Sequence, residues 1–324
     1  MQYSIHTDLA IESAAVENIK NSKESNSGIK TKHTKKDGIA ITEVEITNKS
    51  GEEATNKPIG KYVTIEVPSL RENASDIFEK TQNELTNELK KFINLEKTHT
   101  ILVVGLGNRF VTPDALGPKV IDKLLVTRHL YEVLPEDITK KMHSLCALAP
   151  GVLGITGIET GEIIKGVADK IKPDLIIAVD ALASRKTSRI STTFQIADTG
   201  IVPGSGIGNK RYALNKETLG VPVIAIGVPT VIEASAVAND AIDMLIEAVK
   251  SSCDEDSVIF KSVKAFDNEK RYDLISELLV PSGKDLIVTP KEVDSIIDEV
   301  SEIIAQSINE AINGETAKKL GEIM

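Results

Sequence analysis

Residues 175–183, LIIAVDALA, form an apolar run that is interrupted by a single carboxylate at Asp180. Such a run of apolar residues is typical of a strand that is buried on both faces of a sheet. A second predicted strand, residues 100–105, precedes Asp114 in the stretch GLGNRFVTPDALGP at 105–118. Because predicted helices alternate with predicted strands along the chain, we expect an α/β fold with a mostly parallel, twisted sheet flanked by helices.

The two aspartates occupy matching places in this pattern. Asp180 directly follows its strand, and Asp114 follows its strand after a short turn. Open α/β sheets bind ligands at the carboxyl edge of their strands, and both carboxylates are expected at that edge. Two carboxylates that are brought close together titrate at different pH values and provide the acid and the base that hydrolysis by water requires. The sequence does not show how close the two lie. The alternative is structural, with Asp114 capping the helix that begins at Ala115 and Asp180 lying in a turn.

The remaining elements are predicted from periodicity. Alternating residues predict a β hairpin at about 38–68, which we expect to form a small side sheet, and an amphipathic helix is predicted at 72–93. The Lys/Ser/Asn-rich stretch 18–37 has few apolar residues and is predicted to be a mobile loop or insertion. Further helices are predicted at 114–126, 160–171 and 233–250, with strands at 175–179, at about 190–198 and at 222–228, and a C-terminal helix at about 290–313.

Composition narrows the possible functions. The 324 residues carry a net charge of −10 and only 3% aromatic residues, which argues against direct binding of nucleic acid. No segment approaches the roughly 18 consecutive apolar residues of a membrane span, and the polar N-terminus does not have the pattern of a secretory signal, so we expect a cytoplasmic protein. The two cysteines, Cys146 and Cys253, are too few for a disulfide framework.

Motifs for cofactors and metals are incomplete. The Gly105-Leu-Gly107 turn follows a strand, but Phe110 replaces the third glycine of the dinucleotide-binding pattern. Residues 204–210, GSGIGNK, lack the Ser or Thr that follows the lysine of a phosphate-binding loop. The five histidines form no zinc-binding helix motif. We therefore expect no cofactor, and the motifs alone leave open whether a metal has a role.

Six stretches of the chain, in order, resemble those of one family. They are 3–10 (YSIHTDLA), 105–118, 149–161 (APGVLGITGIETG), 179–183 (VDALA), 198–211 (DTGIVPGSGIGNKR) and 227–231 (GVPTV). These stretches resemble the germination proteases, endopeptidases that degrade small, acid-soluble spore proteins when spores germinate. The resemblance implies a fold similar to that of the hydrogenase-maturation proteases, a phosphorylase/hydrolase-like fold.

The resemblance also implies residue roles. It implies an aspartic-type endopeptidase that works without a metal and in which Asp114 and Asp180 are catalytic. It also implies a cytoplasmic location in the forespore and spore core, and a homotetramer. Residues 7–10, TDLA, resemble the sites that the family cuts in its substrates. The implied precursor is an inactive zymogen that cuts itself between Asp8 and Leu9, which divides the chain into a pro-segment, 1–8, and a protease domain, 9–324. An alternative for residues 3–9 is an edge strand.

A site that accepts an acidic side chain before the cut needs a basic partner. The candidates in the matched loops are Arg109, Arg185, Lys210 and Arg211. Backbone N–H groups of residues 105–107 or 204–208 are expected to stabilise the oxyanion. Two alternative functions stay open: a metal-dependent maturation-type protease, and a non-catalytic binding protein of the same fold.

Overall fold

The computed structural model describes residues 7–13, 28–72, 75–96, 98–203, 212–252, 274–275, 278–279 and 286–321. In these residues nine strands form one mixed sheet, in the order β1-β2-β3-β7-β8-β6-β4-β5, with β9 paired to β8. The strands are β1 (Ile29–Lys36), β2 (Ile39–Ile46), β3 (Gly60–Glu66), β4 (Thr100–Gly105), β5 (Ser144–Leu148), β6 (Leu175–Ser184), β7 (Thr193–Ala197), β8 (Val223–Glu233) and β9 (Ile287–Val288).

Helices cover both faces of this sheet. The α-helices are α1 (Lys49–Thr55), α2 (Ser75–Phe92), α3 (Leu116–Lys123), α4 (Glu136–Thr139), α5 (Leu153–Thr156), α6 (Thr160–Ile171), α7 (Lys216–Leu219), α8 (Ala234–Ser252) and α9 (Val293–Gly321). Short 3-10 helices include Ala10–Glu12 and Thr112–Asp114. Among the described helices, none combines the length and the apolar character that crossing a membrane requires.

One half of the sheet is parallel and buried on both faces. Strands β5, β4, β6 and β8 pair in parallel. Ile101 and Val103 of β4 face a core that also contains residues of α2, α3 and α9, whereas Leu102 and Val104 face a second core with Ile164 of α6. Continuous apolar strands are the expected consequence of burial on both faces. The predicted α/β fold with a mostly parallel sheet is therefore confirmed.

The other half of the sheet is antiparallel. The predicted hairpin is present as β2 and β3, but it is not a separate side sheet, because β3 pairs with β7 and joins the hairpin to the main sheet. The prediction of a loop over 18–37 is wrong in its second part, since β1 begins at Ile29. This strand lies at the edge with Ile29 as its one buried residue, so its sequence lacks an apolar face. Residues 18–27 lie outside the described residues.

The long C-terminal helix packs against the parallel half. It runs from Val293 to Gly321, with a non-helical backbone at Gly314. Its apolar stripe, which includes Ile297, Ile304 and Ile308, belongs to the same core as β4 and α3. This packing fixes α3, and α3 follows directly on the turn that carries Asp114.

Candidate functional site

Asp180 lies where the pairing of β6 with β4 ends. The last pair of that ladder joins Gly105 to Val179, and Asp180 is the next residue. The predicted strand 175–179 continues further than expected, because β6 goes on pairing with β8 as far as Ser184. The Asp180 side chain is only 6% exposed. Its Oδ1 accepts a hydrogen bond from the backbone N–H of Ala181 at 2.9 Å.

Asp114 is held by the turn after β4. It ends the 3-10 helix Thr112–Asp114, and its N–H donates to the carbonyl of Val111 at 2.8 Å. Its Oδ2 accepts the N–H of Asn108 at 2.8 Å. The α-helix itself begins only at Leu116, and Ala115 occupies its N-cap position.

The Asp114 turn requires a glycine and is tied to β8. Gly107 has a φ of +108°, and a Cβ there would lie 2.0 Å from the backbone oxygen of Asp114. The hydroxyl of Thr230 in β8 donates to the carbonyl of Pro113 at 2.7 Å. Gly227 of β8 lies opposite Asp180 in the ladder. The turn, β6 and β8 are therefore fixed relative to one another.

Both aspartates line one cleft. The cleft has a volume of about 640 Å³ and lies across the junction between the parallel and the antiparallel half of the sheet. Its wall includes Asp114 and Asp180, the N-terminal Asp8, and two polar side chains from the antiparallel half, Lys57 and Gln195. The structure therefore places Asp114 and Asp180 in the wall of one cleft.

The N-terminal segment, residues 7–13, runs beside β6, and its Asp8 forms part of the cleft wall. The N–H of Asp8 donates to the carbonyl of Ala183 at 3.3 Å, and the N–H of Ala183 donates to Oδ2 of Asp8 at 2.9 Å. The next residue, Leu9, is fully buried and packs with Ile11 and Leu182. The peptide bond between Asp8 and Leu9 is therefore held by contacts on both sides.

A buried carboxylate fixes the far end of the segment. Glu12 has no exposed surface, and its Oε1 accepts hydrogen bonds from the Ser184 hydroxyl and the Arg189 guanidinium, each at 2.9 Å. The N–H of Arg185 donates to Oε2 at 2.9 Å. Arg189 also pairs with Glu66 of β3 at 2.9 Å, so this cluster links the segment to both halves of the sheet.

Two residues that contact the segment were not predicted from the sequence. The Lys57 ammonium donates to the carbonyls of Thr7 at 3.0 Å and Asp8 at 3.1 Å. The Gln195 carboxamide donates to the Asp8 carbonyl at 3.1 Å and accepts the Ala10 N–H at 2.7 Å. Gln195 left a signal, a polar residue inside the apolar strand TFQIA, whereas Lys57 lies in a polar connection that has none.

The predicted basic residues have different positions. The guanidinium of Arg109 forms a two-point ion pair with Asp122 of α3 and is not among the residues that line the cleft. Arg185 contacts the N-terminal segment, because its Nη1 donates to the carbonyl of Glu12 at 3.1 Å. Lys210 and Arg211 lie outside the described residues, and so does the glycine loop 204–208. Near the other expected oxyanion loop, the Leu106 N–H is already bonded to the Val179 carbonyl.

Burial changes the acidity of groups near the cleft. Desolvation lowers the pKa of Lys57 below 10.5, although the nearby carboxylates of Asp8 and Glu12 act in the opposite direction. Burial also raises the pKa of the Tyr62 phenol, whose hydroxyl donates to the Pro58 carbonyl at 2.8 Å. Lys57 is therefore expected to lose its proton at a lower pH than an exposed lysine does.

Candidate metal ligands and thiols are the remaining groups that could carry chemistry. Within the described ranges, no group of three or more His, Cys, Asp or Glu residues is arranged to hold a metal ion. Cys146 is a free, partly buried thiol in β5, and burial raises its pKa, so it is poorly suited to act as a nucleophile. Cys253 lies outside the described residues.

Among solved structures, a [NiFe] hydrogenase maturation protease, HycI from Thermococcus kodakarensis, is similar to this chain. The match covers 59% of this chain and 98% of that protein, with 22% sequence identity and a TM-score of 0.28.

Sequence relatives are much closer. A family model described as germination protease matches residues 6–265 and 252–322. A germination protease of Clostridium perfringens is 47% identical over 96% of this chain and 95% of its own length. That of Clostridium acetobutylicum is 47% identical over 99% of this chain and 98% of its own length. These matches favour a germination protease over both alternatives, the metal-dependent maturation-type protease and the non-catalytic binding protein. The chain belongs to the germination protease family.

Proposed function

We propose that this peptidase is an aspartic-type endopeptidase that degrades small, acid-soluble spore proteins, with Asp114 and Asp180 as its catalytic pair. The observation that carries the proposal is that both carboxylates line the same cleft as Asp8, the residue before the bond that would be cut. A buried carboxylate at a strand junction is costly, and a working site is the usual reason to retain it. The buried Asp180 fits this description.

The chemistry needs one carboxylate and one carboxylic acid. The ionised aspartate removes a proton from a water molecule whose oxygen attacks the scissile carbonyl carbon. The protonated aspartate then gives its proton to the leaving nitrogen as the C–N bond breaks. The products are a carboxylate on the new C-terminus and an amine on the new N-terminus, and the pair has exchanged its roles.

The first substrate is proposed to be the chain itself. Cleavage between Asp8 and Leu9 would remove the pro-segment, 1–8, and leave the protease domain, 9–324. Support comes from the contacts of the segment, because Asp8 pairs with Ala183 while Leu9 is buried against Leu182. The same contacts would select an acidic residue before the cut and a bulky apolar residue after it.

The setting of the reaction is proposed from the family. A protein that degrades spore proteins would work in the cytoplasm of the forespore and the spore core. It would contact DNA only through its substrates, because its net charge of −10 opposes direct binding to phosphates. We also propose a homotetramer, which sedimentation of the purified protein will test.

The test uses the purified full chain and its Asp114→Asn and Asp180→Asn variants. Each is incubated with a small, acid-soluble spore protein, with and without EDTA, and all new N-termini are mapped by mass spectrometry. We expect cuts after acidic residues and a new terminus at Leu9, both unaffected by EDTA and both lost in the two variants. Asp169→Asn is the matched control, because Asp169 pairs with Lys165 on the exposed face of α6.

Three results would contradict the proposal. Cleavage that persists in both variants would place the chemistry elsewhere. Cleavage that EDTA abolishes would establish the metal-dependent alternative. Binding of the spore protein without any cleavage by the wild type would establish the non-catalytic alternative.

A further inference from the structure

The carbonyl oxygen of Asp8 accepts two hydrogen bonds from side chains outside the aspartate pair. One comes from the Lys57 ammonium and the other from the Gln195 carboxamide, and both donor–acceptor distances are 3.1 Å. Asp8 supplies the carbonyl of the bond that the self-cleavage reaction would break. These donors therefore contact the carbonyl oxygen that would gain negative charge when water attacks that bond.

Gln195 binds the segment on both sides of this bond. Its Nε2 donates to the carbonyl of Asp8, while its Oε1 accepts the N–H of Ala10 at 2.7 Å. The residue belongs to β7, is only 8% exposed, and lies at the register position opposite Gly227 of β8. Because β8 also pairs with β6 beside Asp180, the carboxamide is held at a fixed position relative to the catalytic strand.

Lys57 approaches the same oxygen from the antiparallel half. The residue follows α1 and Asn56, which ends that helix in the left-handed conformation with a φ of 52°. Its ammonium bridges the carbonyls of Thr7 and Asp8, and its backbone N–H donates to the Thr55 hydroxyl at 3.3 Å. The charged groups that face it are Asp8, Glu12 and Arg185.

We propose that Lys57 and Gln195 form the oxyanion hole of this protease. The inference deepens the proposed function and rests on cleavage between Asp8 and Leu9. A partly buried, positively charged donor and a buried, neutral donor are suited to an oxygen that gains negative charge in the transition state. The distances fall in the range of roughly 2.7–3.1 Å that effective oxyanion donors occupy.

Atoms and charge balance in the proposed step. When the water oxygen bonds to the Asp8 carbonyl carbon, one water proton passes to the aspartate base and the π electrons move to the carbonyl oxygen. Lys57 and Gln195 stabilise this oxyanion and transfer no proton. When the carbonyl re-forms, the C–N bond to Leu9 breaks and the acidic aspartate protonates the leaving nitrogen.

The test measures the first-order rate at which the full-length chain gains a Leu9 terminus, and the cleavage of an added peptide with the sequence of residues 3–13. Lys57→Met removes the charge, and we expect the rate to fall about 100- to 1000-fold. Gln195→Leu removes a neutral donor, and we expect a smaller loss of about 10- to 100-fold. Lys61→Met, an exposed lysine on neighbouring β3, is the matched control and retains the wild-type rate.

Charge rescue separates a role at the oxyanion from a structural one. Lys57→Arg keeps a positive charge at every accessible pH. It is expected to restore most of the activity lost in Lys57→Met.

The outcomes distinguish the two proposals. If the wild type and both Lys57 variants process at equal rates while the Asp114→Asn and Asp180→Asn variants are inactive, the oxyanion hole is wrong and the catalytic pair stands. Loss in Lys57→Met that Lys57→Arg does not restore also overturns it. If the lysine variants fail but the aspartate variants process normally, the aspartate assignment is wrong. A wild type that cuts neither its own segment nor the peptide overturns both.

Discussion

The two halves of the sheet contribute different chemistry to the cleft. The parallel half supplies the carboxylates, with Asp114 after β4 and Asp180 in β6. The antiparallel half supplies the groups that hold the peptide, with Lys57 before β3 and Gln195 in β7. The pairing of β7 with β8 joins the two sets. The two proposed catalytic acids are thus close to their strands in sequence, whereas Lys57 and Gln195 come together only through the pairing of distant strands.

Removing a carboxylate from the parallel half is expected to have the largest effect. In Asp180→Asn and Asp114→Asn, the amide neither accepts a proton from water nor donates one to the leaving nitrogen. Each change is expected to slow self-cleavage by about 10²- to 10⁴-fold. Mass spectrometry of the Leu9 terminus measures the rate, and urea unfolding shows whether the fold is intact. Unfolding at much lower urea in both variants would mean that the aspartates are structural.

Breaking the ion pair between Arg189 and Glu12 is expected to have the next largest effect. Arg189→Met leaves the fully buried Glu12 without its cationic partner. Breaking a buried pair from one side costs about 3–5 kcal/mol, so we expect the free energy of unfolding to fall by up to that amount. Urea unfolding is measured in an Asp180→Asn background, so that self-cleavage does not alter the chain. A loss below about 1 kcal/mol would show that Glu12 is held mainly by its other hydrogen bonds.

The turn that carries Asp114 offers a smaller change. Gly107→Ala places a Cβ 2.0 Å from the Asp114 oxygen at a φ of +108°. The strain is expected to cost about 1–3 kcal/mol of stability and to move Asp114, with a fall in cleavage rate. Gly154→Ala is the matched control, because its Cβ would meet no atom within 4 Å. Equal stability and equal rates in the two variants would contradict this account of the turn.

The outer edge of the antiparallel half should tolerate change best. Lys32 on β1 pairs with Glu43 on β2 at 3.2 Å, and both side chains are largely exposed. Exposed pairs contribute about 0–1 kcal/mol, so Lys32→Ala is expected to leave both stability and cleavage almost unchanged. Thermal unfolding in low and high salt measures this contribution. A loss above about 2 kcal/mol would show that β1 has a larger role than its exposure indicates.

Sequence alone predicted the parallel half well, because its signals are local. Strands such as β4 and helices such as α6 have apolar runs or helical spacing and were located to within a residue. The position of Asp114 and Asp180 at one edge of the sheet could also be predicted, because parallel strands end at a common edge.

The antiparallel half was harder to predict. The edge strand β1 has one buried residue, so its composition resembles that of a loop. The connection of the hairpin to β7 depends on a pairing between residues more than 100 positions apart, for example Tyr62 with Ala197. For the same reason Lys57 and Gln195 could not be assigned, although both contact the Asp8 carbonyl. The position of Arg109 in a matched loop makes it a candidate to bind the substrate's acidic residue, but in the structure it forms an ion pair with Asp122.

The central claim is that this chain cuts its own Asp8–Leu9 bond with Asp114 and Asp180. It is tested most directly by following the N-terminus of the purified precursor by mass spectrometry at several protein concentrations. We predict that a Leu9 terminus forms in the wild type at a rate independent of concentration, and that it does not form in either aspartate-to-asparagine variant. A Leu9 terminus that forms equally fast in those variants would contradict the claim.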